Sequence, residues 1–249
     1  MCCIRVAVKH GEQPMSRYTA HRRAVPSSYT SARFQAVALY VDPDGPYAKG
    51  LVADFYDQDR DAGTYDGDLP VVAHPPCGPW GKLAWRCENQ DRQTGLDAVA
   101  QVRRCGGVLE HPVGSGLFEA AGIPVGDWDN PERETDAWGG YTILVRQRDM
   151  GHRAYKDTVL YIVGTAELPP LWTREDDNGL TPVERMGKLE RRLTPPAMAW
   201  WMADVASTCK PPQRSLEARR RAEKAAARAE ARRAAPSATK APQLALFAA

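Results

Sequence analysis

Two residues in this chain, a cysteine and a glutamate, stand where covalent and acid–base chemistry need them. The stretch Val71-Val72-Ala73-His74-Pro75-Pro76-Cys77-Gly78-Pro79-Trp80 begins as a β-branched run and ends in a proline-stiffened turn. Leu69 to Ala73 reads as a buried strand. Pro75 and Pro76 fix φ and have no N–H for a ladder, so the strand stops before them. The chain then presents Cys77 from a loop at a strand's carboxyl end, the edge at which open α/β sheets bind ligands. A nucleophilic thiol and a buried cysteine serving as a small apolar residue are both open readings of that position. A carboxylate arrives by the same route: Gly107-Val108-Leu109-Glu110 is a second short strand, ending on Glu110-His111-Pro112. Between the two, Thr94 is a good N-cap, and Leu96, Ala98, Val99 and Val102 recur at helical spacing up to Gly106-Gly107. A strand–helix–strand unit makes parallel neighbours with their carboxyl ends together, which places Cys77 and Glu110 near one another.

The elements that must hold these groups follow from length and pattern. The 249 residues suffice for one α/β domain with peripheral segments, and 43% hydrophobic with 26% charged residues is ordinary for a globular chain. The fold class expected is α/β: a Rossmann-like, mostly parallel sheet with flanking helices and flexible basic arms at both ends. No apolar run reaches membrane-spanning length, and Arg5, Lys9 and His10 interrupt any signal-peptide core, so a cytoplasmic protein without membrane contact is expected. Six scattered cysteines read as reduced thiols. No Cys-x-x-Cys pair occurs and only His74-x-x-Cys77 comes close to a zinc spacing, so no metal site is expected.

Four segments are expected: a flexible arm over 1–34, a catalytic domain over 35–209, a basic helix and linker over 210–242, and a terminal peptide over 243–247. Ala36–Val41 reads as the first strand, followed by the turn cluster Asp42-Pro43-Asp44-Gly45-Pro46. Asp54, Asp57, Asp59 and Asp61 read as a solvated acidic loop, in which one carboxylate is a candidate ribose contact. Trp138–Val145 and Asp157–Gly164 read as two strands paired antiparallel, because no helix-length pattern separates them. Residues 165–192 read as mostly loop. Thr194 caps a helix opened by Pro195-Pro196, with Met198, Trp201, Met202 and Val205 on one face. From Lys210 to Lys240 ten Lys or Arg stand against three Glu, a net of +7 that leaves the rest of the +2 chain at −5. Contact with a polyanion would therefore use the tail.

The order Pro-Pro-Cys77, Leu-Glu110-His-Pro, Gln147-Arg148 with Arg153 ahead of a strand ending in Gly164, then Thr194-Pro195-Pro196, resembles the C5-cytosine DNA methyltransferase family, as a reduced, phage-type member. The resemblance spans roughly residues 36–208. It implies Cys77 as the nucleophile, Glu110 as the acid, and Arg148 or Arg153 as the contact to the ring carbonyl. It further implies S-adenosylmethionine as the methyl donor, near Asp42, Asp54, Pro75 and Pro196, and DNA as substrate. The basic helix, by its charge alone, reads either as a solvated helix or as a phosphate contact through Arg219, Arg220 and Arg221. The chemistry explains the set. Cytosine C5 is too weak a nucleophile until a thiolate adds at C6, and an acid at the N3/N4 edge stabilises the charge that develops. The base must be flipped out or already single-stranded. The chain lacks the family's glycine-rich loop after the first strand and its long target-recognition segment. Gln243-Leu244-Ala245-Leu246-Phe247 resembles the bacterial sliding-clamp-binding peptide, which makes the clamp an expected partner. Two other readings remain: an enzyme modifying a free pyrimidine nucleotide, and a non-catalytic DNA-associated module that has lost the cofactor.

Overall fold

The computed structural model describes residues 33–82, 84–128, 134–165, 167–171 and 181–234. Most of the N-terminal arm and the peptide Gln243–Phe247, with Leu244 and Leu246, lie outside them. Six strands form one mixed sheet: β1 (Phe34–Leu39), β2 (Val52–Tyr56), β3 (Val71–Ala73), β4 (Gly107–Pro112), β5 (Tyr141–Arg146) and β6 (Asp157–Val163), in the order β2-β1-β3-β4-β6-β5. β1 pairs parallel with β2 and β3, and β3 pairs parallel with β4. β6 runs antiparallel to both its neighbours, β4 and β5, so it alone opposes the rest. The expected strand–helix–strand unit is present, with α1 (Gln93–Cys105) between β3 and β4. The expected antiparallel pair is β5 with β6.

Side chains alternate between the two sheet faces with the period of two that a strand imposes. Val37, Leu39, Val71, Ala73, Leu109, Tyr161 and Val163 pack with Ala98, Val99 and Val102 of α1. Ala36, Ala38, Val72, Val108, Leu160 and Ile162 pack with Met198, Trp201, Met202 and Val205 of α4 (Pro196–Thr208). The two helices thus cover opposite faces. Gly106, at the end of α1, has φ +78°, and a Cβ there would lie 2.7 Å from the Lys210 carbonyl oxygen. Lys210 follows α4 and donates its N–H to the Gly164 carbonyl at 3.1 Å. The end of α4 is therefore pinned at the sheet's amino edge, and its start, at Pro196, faces the carboxyl edge.

Several local expectations are corrected. The acidic stretch contains a strand: Asp54 sits in β2, at the sheet's edge. β1 starts two residues earlier than expected and ends at Leu39. Thr94 lies inside α1. The residue before the helix is Arg92, and the Asp91 carboxylate takes the Gln93 N–H at 2.8 Å and the Thr94 hydroxyl. Thr194 does not cap α4, whose preceding residue is Pro195, with no side-chain cap. A short α2 (Leu117–Ala120) follows β4, and α3 (Lys188–Arg192) interrupts the segment expected to be loop. α5 (Gln213–Ala234) is the basic helix. Among the described residues no helix is long and apolar enough to cross a membrane.

Candidate functional site

Strand parity assembles the site on the α4 face. In β4, Val108 faces α4 and Leu109 faces α1, so Glu110 faces α4 again and His111 faces α1. The same alternation puts His74 and Thr158 on Glu110's side, and Gln147 reaches it from the turn that follows β5. The contacts agree. The Glu110 carboxylate accepts from His74 Nδ1 at 3.3 Å, from Gln147 Nε2 at 3.0 Å and from the Thr158 hydroxyl. His74 Nε2 lies 2.9 Å from the hydroxyl of Tyr47, which is 3% exposed. A Tyr47–His74–Glu110 chain thus runs from the core to the β4 edge. An ionised Glu110 can only accept, so Nδ1 carries the proton in that bond.

Burial alone would raise the Glu110 pKa. The His74 hydrogen bond, the Lys156 charge, the His74 charge and the Thr158 bond outweigh it and bring the value down to about 2. The glutamate expected to be an acid is therefore a carboxylate in the free protein. Cys77 is exposed at the mouth of the site. Its thiol pKa is raised, first by desolvation and next by the Glu110 charge, while Lys156 and Arg192 pull it down. The Glu110 charge therefore bears on the thiol, and β3 and β4, the strands that precede Cys77 and carry Glu110, are parallel neighbours.

Two buried polar atoms beside this network have no hydrogen-bond partner among the described residues: Gln147 Oε1 and His152 Nε2. His111 is fully buried and bonds Ser115 Oγ through Nδ1 at 2.6 Å. Burial drives its pKa down to about 4, against the opposing pull of the Glu110 charge. His152 Nδ1 accepts the Ala154 N–H at 3.0 Å, and its pKa is likewise lowered, chiefly by burial.

The other expected site residues are engaged differently. Arg148 pairs with Asp149 at 3.3 Å and lies over the Tyr155 ring. Arg153 reaches Glu190 of α3 at 2.6 Å, at the surface. Pro75 is buried behind the Cys77 turn and Pro196 is exposed at the start of α4. At the β1 and β2 ends each carboxylate serves its own loop: Asp42 accepts the Asp44 N–H, Asp57 accepts the N–H groups of Asp59 and Arg60, and Asp54 holds Arg60 at 2.6 and 2.9 Å. Tyr40 leaves β1 with φ +60°, a strained conformation for a tyrosine, its hydroxyl on Gln101 at 3.1 Å. Arg220 and Arg221 are exposed on α5, which also carries Arg219. An open groove of about 670 Å³ between Leu96, Ala100, Ala121, Trp138 and Ala218 lies over α1, and no residue of the Glu110 network lines it. Among the described residues no group of three His, Cys, Asp or Glu could hold a metal ion.

Tyr47, Thr158, Lys156 and Arg192 had no motif to announce them. His74 and Thr158 do share Glu110's strand parity, which is the one signal that could have found them. No protein-family model matches the chain, and neither does any curated protein.

Proposed function

We propose that this chain is a cysteine-dependent enzyme that modifies C5 of cytosine in DNA, after the manner of the C5-cytosine DNA methyltransferases it resembles, on a Rossmann-like core. The observation that carries the reading is the parallel β3–β4 pairing, which delivers an exposed thiol and an ionised, hydrogen-bonded carboxylate to one edge. The chain's step from β1 out to β2 and back past β1 to β3 makes a topological switch point beside that edge, where such sheets bind ligands.

In the proposed step the Cys77 sulfur bonds to C6 while its proton passes through the Glu110 carboxylate to the ring's N3, so the C5=C6 electron pair becomes available at C5. C5 takes a proton from water and gives up its original hydrogen as a proton to water, N3 returns its proton through Glu110 to the sulfur, and the C6–S bond breaks to restore the ring and the thiol. Glu110, a carboxylate in the free protein, relays the proton rather than storing it.

S-adenosylmethionine is the donor the resemblance implies, and the residues present do not fit it. Asp42, Asp54 and Asp57 are committed to loop N–H groups and to Arg60, no glycine loop follows β1, and buried Tyr47 packs against His74 where β1 and β3 diverge. No step is routed through that donor. The same closure, with the raised thiol pKa, favours a second reading: a DNA-associated module that keeps the edge and has lost the transfer.

A donor-free measurement separates the two. Thiolate addition lets C5 exchange its hydrogen with solvent. Cytosine in DNA incubated with the full chain in D2O should gain deuterium at C5, read by mass spectrometry, and Cys77→Ser should abolish the gain. Exchange in a free nucleotide but not in DNA would favour the nucleotide enzyme; none in either would leave the non-catalytic module.

A further inference from the structure

We infer that the carboxyl edge around Cys77 is a stacking platform for single-stranded DNA, built from three exposed aromatic rings, each backed by an arginine. Trp85 is 72% exposed, Tyr155 52% and Trp128 44%. Arg86 lies over Trp85 with its guanidinium carbon 4.5 Å from the ring centroid, Arg146 over Trp128 at 4.8 Å and Arg148 over Tyr155 at 5.4 Å. Folding does not ask for three large rings in water. One face of each ring carries a cation, and the exposure leaves the other available to a base.

Their placement is what argues for a common partner. The turn Ala84–Arg86 folds back on the Cys77 loop, because Cys87 Sγ fills the space a Cβ on Gly78 would take, 2.5 Å away. Tyr155 adjoins Lys156, whose charge acts on both Cys77 and Glu110. Arg146 is the last residue of β5, and the next residue, Gln147, bonds Glu110. Trp85 thus lies beyond the end of β3, Tyr155 two residues before the start of the antiparallel β6, and Trp128 against the last residue of β5, all toward the edge where β3 and β4 end. Neighbouring strands stand about 4.8 Å apart, so β3 to β5 is on the order of 14 Å, room for several nucleotides in a row.

Sequence-independent binders of single strands combine these two elements: aromatic rings on which bases stack, and cations that follow the phosphates. A duplex hides its base faces and could not use the rings. The arrangement also removes a difficulty of the cysteine chemistry, since a single-stranded base needs no flipping and no large recognition domain. DNA rather than RNA is assigned because the cysteine chemistry proposed above is read on DNA. The proposal rests on the cytosine reading above and names its substrate.

The test uses the full chain and a short fluorescein-labelled, cytosine-containing oligodeoxynucleotide, read by anisotropy at elevated salt, where phosphate contacts from the basic α5 are weakened. Trp85→Ala and Tyr155→Ala should each weaken binding at least about fivefold, the low end for loss of one base–aromatic stack, and Trp85→Phe should restore it. The matching duplex should bind more weakly than the single strand. Binding unchanged in both alanine variants, or a duplex bound as tightly, overturns the platform; RNA of the same sequence bound as tightly overturns the DNA assignment. If the rings matter and C5 exchange is nevertheless absent, the platform stands and the chemistry falls. If exchange occurs and the rings do not matter, the reverse holds.

Discussion

Two largely buried carboxylates, Asp136 and Glu110, anchor opposite faces of this sheet, and they are finished to different degrees. Asp136 takes two hydrogen bonds from Arg103, at 2.7 and 3.1 Å, one from Tyr161 at 2.6 Å, and the N–H groups of Trp138 and Gly140 at 2.8 and 2.9 Å. Trp138 then closes over the Arg103 guanidinium at 4.0 Å. This latch pairs charge with opposite charge. Glu110 is held by His74, Gln147 and Thr158, with no arginine fork, and Gln147 Oε1 and His152 Nε2 beside it are without partners among the described residues. Both carboxylates are held below their ordinary pKa against desolvation, so a depressed pKa does not separate the two. The unmet buried atoms and the exposed thiol do, because a structure that only had to be stable would have satisfied or removed them.

The largest expected effect breaks the finished side. Asp136→Ala leaves Arg103 buried without its counter-ion, which costs about 3–5 kcal/mol for a buried pair. Urea unfolding should show that loss, and the smaller Glu110→Gln loss, because the amide keeps the shape and part of the bonding. Equal losses would mean that the two carboxylates do the same structural work and that the contrast is false.

The next effect comes from His111, the residue after Glu110 in β4 and on the opposite face from it, and appears with pH. An unfolded His111 takes up its proton near pH 6.5, the folded one only near 4. Between those values the unfolded chain binds more protons, so stability falls as pH drops from 6.5 to 4, by on the order of 3 kcal/mol. His152, also shifted down, adds slope of the same sign. The Asp136 latch contributes nothing in that window, because a lowered carboxylate loses its stabilisation only further into acid. His111→Gln should flatten most of the slope in unfolding curves taken across the range; an unchanged slope would show that His111 is not held neutral by the fold.

The sequence made one half of the site legible and hid the other for a physical reason. Pro75-Pro76 and the helix between β3 and β4 are local signals, and they sufficed to make β3 and β4 parallel neighbours, with Cys77 just after one and Glu110 near the end of the other. β2 escaped because Val52–Tyr56 is a short edge strand with one fully buried residue, and the acidic run beginning at Asp54 outweighs its apolar positions. Thr94 misled because Asp91, three residues earlier, took the capping role. Thr158 and Gln147 reach Glu110 only through the register of β6 against β4, in which Thr158 pairs with Pro112 and so lies diagonally from Glu110 on the same face. Register across a sheet is a long-range property, and no window of sequence contains it. Tyr47 joins the network from a turn on a third segment, with the same consequence.

The smallest effect is the most direct probe of whether the site's two reactive groups sense one another. Burial first, and the Glu110 charge second, hold the Cys77 thiol above its ordinary pKa. Iodoacetamide consumes the thiolate, so Cys77 should alkylate slowly at neutral pH. Glu110→Gln removes the repelling charge and should speed that alkylation a few-fold, short of the tenfold that a whole pKa unit would give. Lys156→Met should slow it, and Asp136→Asn, on the other face, should leave it unchanged. Peptide mass spectrometry separates Cys77 from Cys87 and from the buried Cys105 and Cys209. If Glu110→Gln and Asp136→Asn alkylate at the same rate as the parent, the thiol and carboxylate are neighbours in topology without being partners in charge. The proposed proton transfer between them would then have no basis. If only the site-side variants move the rate, and in opposite directions, the edge behaves as one electrostatic unit.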